Sequence, residues 1–134
     1  MKVLTALLCA VAALAACTSG SPSEPTGPVN VQLVLAPGQT SDVSGTGIQL
    51  RFVGVFGDSR CPADALCIQG GDAMVRVDVL PRSGASRTLE LHTGNLQPVR
   101  SDDLTIALEN LSPYPFSSRT IAPGEYRATL RITR

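Results

Sequence analysis

Few side chains in this 134-residue sequence are of a type that does chemistry, and most of them fall in one stretch, Gly57 to Asp72 (GDSRCPADALCIQGGD). It holds Cys61 and Cys67 with five residues between them, Arg60 just before the first cysteine, and the carboxylates Asp58, Asp64 and Asp72. Two sulfurs this close can be a redox couple, part of a soft-metal site, or a structural pair. Redox couples usually take the form Cys-x-x-Cys at a helix start, which this spacing does not match. A thiolate metal site needs more ligands, and the single histidine, His92, falls on a different predicted strand; Met74 is one further soft donor. The three aspartates could offer oxygens to calcium, but their spacing is not that of an EF-hand loop, and Asp beside Gly is ordinary turn chemistry. The expectation is no metal and no cofactor.

Catalysis is not expected either. A Ser/His/Asp site would have to use His92, at the end of a predicted strand in Leu91-His92-Thr93-Gly94. No Gly-x-Ser-x-Gly elbow and no phosphate-cradling glycine loop is present. Asp102-Asp103 reads as part of a polar turn, Arg100 to Asp103, and not as a carboxylate pair. Charge narrows the partners further. Eleven Lys+Arg balance eleven Asp+Glu, with a net charge of zero and a pI near 6.5, so the basic face of a nucleic-acid binder is missing.

The N-terminus has another purpose. Lys2, the only lysine, is followed by an uncharged run from Val3 to Ala16. That run is shorter than the ~20 apolar residues a spanning helix needs, and fits the core of an export signal. Leu14-Ala15-Ala16-Cys17 then resembles the lipobox of bacterial lipoproteins. The resemblance implies that residues 1–16 are a signal peptide and that Cys17 becomes the first mature residue. Its thiol takes a diacylglyceryl group, and its amine is often acylated as well, with chains such as palmitate. Each buried CH₂ contributes about 0.8 kcal/mol, so two or more chains anchor stably. Thr18, where such families carry Asp for inner-membrane retention, points to the outer membrane if the source is Gram-negative. The expected setting is the cell envelope, facing the periplasm or the surface.

Residues 17–28 form the lipidated cysteine and a tether. Thr18 to Pro28 (TSGSPSEPTGP) has three prolines and no large apolar residue, so it cannot build a core and should reach roughly 20–35 Å as a spacer. The folded body is expected at 29–134. Its apolar residues recur with period two. Val29, Val31, Leu33 and Leu35 give one strand, Ile48, Leu50 and Phe52 another, and Ala73, Val75, Val77 and Val79 a third. Leu89 and Leu91, then Leu104, Ile106 and Leu108, then Tyr126, Ala128, Leu130 and Ile132 complete six. A short seventh is expected around Gln39–Val43. Turn residues such as Ala36-Pro37-Gly38 and Ala122-Pro123-Gly124 separate them. The fold predicted is all-β, an antiparallel, immunoglobulin-like sandwich of about seven strands, with an open barrel as the alternative.

Given the lipoprotein resemblance, Cys61 and Cys67 are the only mature cysteines left over, and an oxidising envelope should pair them as a disulfide. Asp58-Ser59-Arg60-Cys61-Pro62, followed by Cys67-Ile68 and Gly70-Gly71-Asp72-Ala73, is similar to a DSRCP…C motif of uncharacterised bacterial lipoproteins and secreted proteins. That likeness covers about 25 residues sharply and implies a small extracytoplasmic β-domain with a disulfide-pinned loop. Gln69 and Gly70 stand where the motif usually has Trp-Ala. The function expected is a membrane-anchored binding or accessory module, attached to the bilayer through Cys17 and engaging an envelope protein. Arg60, Tyr114 and Phe116 are the candidate contact residues. The last two lie in Leu111 to Ser118, which reads first as a plug over one end of the sandwich. The alternative function is an envelope protease-inhibitor-like domain that presents Arg60 on the Cys61–Cys67 ring.

Overall fold

The computed structural model describes residues 27–134. The expected signal peptide, Cys17 and all but the last two residues of the tether lie outside the described residues. Eight strands follow in chain order: β1 (Asn30–Leu35), β2 (Thr40–Val43), β3 (Ile48–Asp58), β4 (Ala73–Pro81), β5 (Arg87–His92), β6 (Val99–Ser101), β7 (Leu104–Ser112) and β8 (Arg127–Thr133). They form two four-stranded sheets, ordered β1-β8-β7-β6 and β2-β3-β4-β5, with every pairing antiparallel. A single 3₁₀ turn, Pro123–Glu125, precedes β8. This is the all-β antiparallel sandwich expected. Apart from β1, which lies beside β8, neighbours in each sheet are consecutive strands, and the chain changes sheets only after β1 and after β5, whereas an immunoglobulin Greek key interleaves its strands. Short connections between successive strands favour that order.

The period-two pattern becomes a core because alternate residues face inward. Along β4, Ala73, Val75, Val77 and Val79 are buried while their neighbours are half-buried. Leu50 and Phe52 join them from the same sheet, facing Leu104, Ile106, Ala128, Leu130 and Ile132 from the other. The additional strand is β6, whose three residues pair with Leu104–Ile106. Arg100 and Ser101, expected in a turn, are in this strand; the turn itself is at Asp102, with a φ of 54°.

The two ends of the sandwich differ. At one, the chain enters: Asn30 pairs with Thr133, and the Arg134 amide donates to the Val29 carbonyl. At the other end of β8, Arg127 pairs with Ser112. Six residues of strand, ~20 Å, separate the two. β3 ends at Asp58, and the Asp58–Ala73 loop closes over this far pole.

Candidate functional site

Arg60 organises the far pole from inside. Its side chain is 5% exposed and that of its partner Asp58 is 12% exposed. The guanidinium donates from Nε to Asp58 Oδ1 at 2.8 Å and from Nη2 to Oδ2 at 2.6 Å. Its remaining capacity crosses to the other sheet, with Nη1 donating to the Leu111 carbonyl at 2.7 Å and Nη2 to the Pro113 carbonyl at 3.0 Å. The Tyr126 hydroxyl adds a bond to Asp58 Oδ2 at 3.0 Å. Burial by itself would raise the Asp58 carboxyl, but the bonds from Arg60 and Tyr126 outweigh it and hold the group below its ordinary value of 3.8. Only a planar, forked cation can satisfy a carboxylate and two carbonyls together.

Arg60 is therefore not presented on the ring. The expectation that it is a contact residue, and the geometric motive for an inhibitor-like loop, are corrected by its inward turn: each of its bonds is to a group of its own domain.

The rest of the loop is built on that clamp. Its two arms extend the β3–β4 ladder, with the Ser59 amide donating to the Asp72 carbonyl at 2.7 Å and the Cys61 amide to the Gly70 carbonyl at 3.0 Å. Cys61 and Cys67 are joined as a disulfide with a Cα–Cα distance of 5.9 Å. The loop then fastens to the segment after β7. The Ala63 amide donates to the Pro115 carbonyl at 2.9 Å. The Ser117 amide and hydroxyl donate to Asp64 at 2.8 and 2.5 Å. The peptide Ser112-Pro113 is cis. The two segments that stood out separately in the sequence thus make one composite surface.

Besides the polar Asp64, Gln69, Ser117 and Ser118, this surface shows large apolar side chains to solvent. Leu66 and Ile68, on either side of Cys67, are each 105% exposed, and Tyr114 and Phe116 are half exposed. The Arg60 guanidinium lies over the Tyr114 ring, 5.4 Å from its centroid, a cation–π contact that holds the ring while about half of the residue remains in water. Leu66 and Ile68 were not among the expected contact residues. Their signal was available, since two aliphatics flank a cysteine whose disulfide keeps that segment out of the core.

The three aspartates do not converge. Asp58 serves Arg60 and Tyr126, Asp64 serves Ser117, and Asp72 serves His92, Thr93 and Gly94. Asp72 Oδ2 lies 2.5 Å from His92 Nδ1, and Oδ1 accepts from the Gly94 amide at 2.7 Å and the Thr93 hydroxyl at 3.2 Å. Burial raises the Asp72 carboxyl, and these bonds together bring it below the ordinary value. His92 and Asp72 line a shallow depression of about 260 Å³ with Gly57, Asp58, Ser59 and Met74. An Asp–His pair can orient a general base, but the adjacent hydroxyl is already committed. Ser59 Oγ donates to the Asp72 carbonyl at 3.0 Å and accepts from the Asp72 amide at 3.1 Å. To act as a nucleophile it would have to turn its proton from the Asp72 carbonyl to the imidazole.

Comparison with known proteins adds no family: no family model, no curated protein and no solved structure matches this chain.

Proposed function

We propose that the protein is a lipid-anchored extracytoplasmic lipoprotein whose β-sandwich is a small binding or accessory module, with the disulfide-pinned pole as its contact surface. One observation carries the reading. A loop held by a buried ion pair, a disulfide and bonds to a second loop keeps Leu66 and Ile68 in water beside segments bearing Tyr114 and Phe116. Exposed apolar groups on a rigid frame are costly to keep unless something covers them. Preorganised anchors lose little entropy when they dock. The pole is also at the opposite end of β8 from the point where residues 1–26 join the domain. An anchor at Cys17 leaves the pole free to face away from the bilayer that holds it.

The test has two parts. The mature chain should have the mass of a protein that begins at an acylated Cys17, and Cys17→Ser should leave it unacylated and release it from the membrane fraction. A photo-crosslinking residue at position 66 or 68 should give a discrete adduct in intact cells, while one at exposed Thr88 should not. Absence of acylation removes the anchor; equal crosslinking at all three positions removes the contact surface.

A further inference from the structure

His92 and Met74 are directly paired residues of β5 and β4. Directly opposed residues project from the same face of a sheet with Cβ atoms ~4.5–5.5 Å apart. Here that face is the outer one, since the adjacent Ala73, Val75 and Leu91 point into the core. Both side chains line the same open depression. An imidazole nitrogen and a thioether sulfur are therefore within reach of one small ion.

The imidazole is also set up for that task. Asp72 takes Nδ1 at 2.5 Å, and Asp72 is itself fixed through its other oxygen by Gly94 and Thr93. In a neutral imidazole, a carboxylate on Nδ1 favours the tautomer with the proton there and the lone pair on Nε2, the arrangement typical of metal-binding histidines. Among the described residues Nε2 has no protein partner.

Donor chemistry then selects the metal. Among the described residues no three His, Cys, Asp or Glu side chains come together, so the ligand set of an ordinary zinc site is lacking. The carboxylates nearby are occupied, Asp58 by Arg60 and Tyr126 and Asp72 by His92, Thr93 and Gly94. One neutral nitrogen and one neutral, polarisable sulfur suit a soft monovalent ion that tolerates low coordination. We propose that Met74 Sδ and His92 Nε2 bind one Cu(I) ion on the outer face of the β4–β5 pair, with Asp72 as the positioning residue.

Silver(I), a redox-stable stand-in, tests this in the full chain carrying Cys9→Ser and Cys17→Ser, where all sulfur outside the disulfide is thioether. His92 is the only histidine and Met1 the only other methionine, so the NMR signals assign themselves. Saturable one-to-one shifts of the His92 ring and the Met74 methyl are expected, with Met1 unmoved and zinc(II) without effect at the same concentration. Met74→Leu, which conserves volume, should weaken binding at least tenfold while leaving the amide spectrum folded. Asp72→Asn should change the His92 nitrogen shifts away from the Nδ1–H tautomer and weaken silver severalfold. Unchanged affinity in Met74→Leu, zinc binding as tight as silver, or still signals at millimolar silver would each overturn the site. Cu(I) transfer from a competing chelator should give the same ranking of variants.

Discussion

Gly71 lies against Ser59 so closely that a Cβ on it would stand 1.8 Å from the Ser59 carbonyl oxygen and 2.6 Å from its carbonyl carbon. Its φ of 66° is also one that side chains avoid. Ser59 and Gly71 are neighbours because the loop arms pair here, through Ser59–Asp72 and Cys61–Gly70 bonds. The backbone atoms in the way cannot move without breaking that ladder. Gly71→Ala should cost about 2 kcal/mol or more in urea unfolding, beyond the usual effect of a mismatched backbone angle. Gly70→Ala, with open space around its Cβ, should stay within ~0.5 kcal/mol. Equal effects at the two positions would mean that the arms do not approach as described.

How much of this was legible beforehand depends on periodicity. β4 keeps strict alternation from Ala73 to Leu80, and its start and buried face follow from the sequence, while its end does not, since Pro81 reads as a turn residue and closes the strand. β3 shows the limit. Its pattern fades after Phe52, yet the strand continues to Asp58 through two irregularities, between Phe52 and Gly54 and between Val55 and Asp58. A bulge inserts a residue and exchanges the faces, so the alternation is lost although pairing persists. β6 was hidden because three residues are too few to show a period. At the pole, the disulfide was accessible from the count of cysteines. The inward turn of Arg60 was not: Asp58 two residues earlier is visible as a partner, but the acceptors that draw the guanidinium across the sandwich are backbone carbonyls of Leu111 and Pro113, and carbonyls carry no sequence signature.

The Arg60–Asp58 pair should be the pole's most sensitive point. Arg60→Met leaves two carbonyls without their side-chain donor and Asp58 without its counter-charge, with only the Tyr126 hydroxyl and the backbone amide of residue 60 still donating to it, and breaking a buried pair from one side typically costs about 3–5 kcal/mol. A lower urea midpoint with an unchanged slope is expected. Arg60→Lys should recover little of it, since an ammonium cannot fork between a carboxylate and two carbonyls. Full recovery by lysine would reduce the pair to simple charge balance.

Acid should weaken the domain through the same carboxylate. Unfolded Asp58 titrates near 3.9, and its folded value is lower because Arg60 and Tyr126 overcome the effect of burial. The unfolded chain therefore takes up the proton first. The contribution is fully present above about pH 4 and declines as pH falls through the folded value. Asp72 acts in the same direction. Carboxyl-carbon NMR should find both groups titrating below 3.8, and Asp58→Asn should flatten the fall in unfolding free energy between pH 4 and pH 2. A folded value for Asp58 above 3.8 would reverse the sign.

Two constraints act on one loop, and they should separate on mutation. The Cys61–Cys67 ring spans a sequence separation of 6, and closing so small a ring restricts the unfolded chain by only about 2 kcal/mol. Cys61→Ser with Cys67→Ser should cost about that much in unfolding free energy and leave the sandwich intact. The stem is held independently by the Ser59–Asp72 bond and the Arg60 clamp, so the Ser59 amide should keep its protection from hydrogen exchange. The amides of Ala63 and Ala65, which depend on the ring's shape for their bonds to Pro115 and Pro62, should exchange faster. Since the ring fixes where Leu66 and Ile68 stand, its loss also returns entropy that docking must then remove. Crosslinking from position 66 should fall more than global stability does. If both fell together, or if Ser59 lost protection with the tip, the disulfide would be holding up the whole pole and the ion pair would be secondary to it.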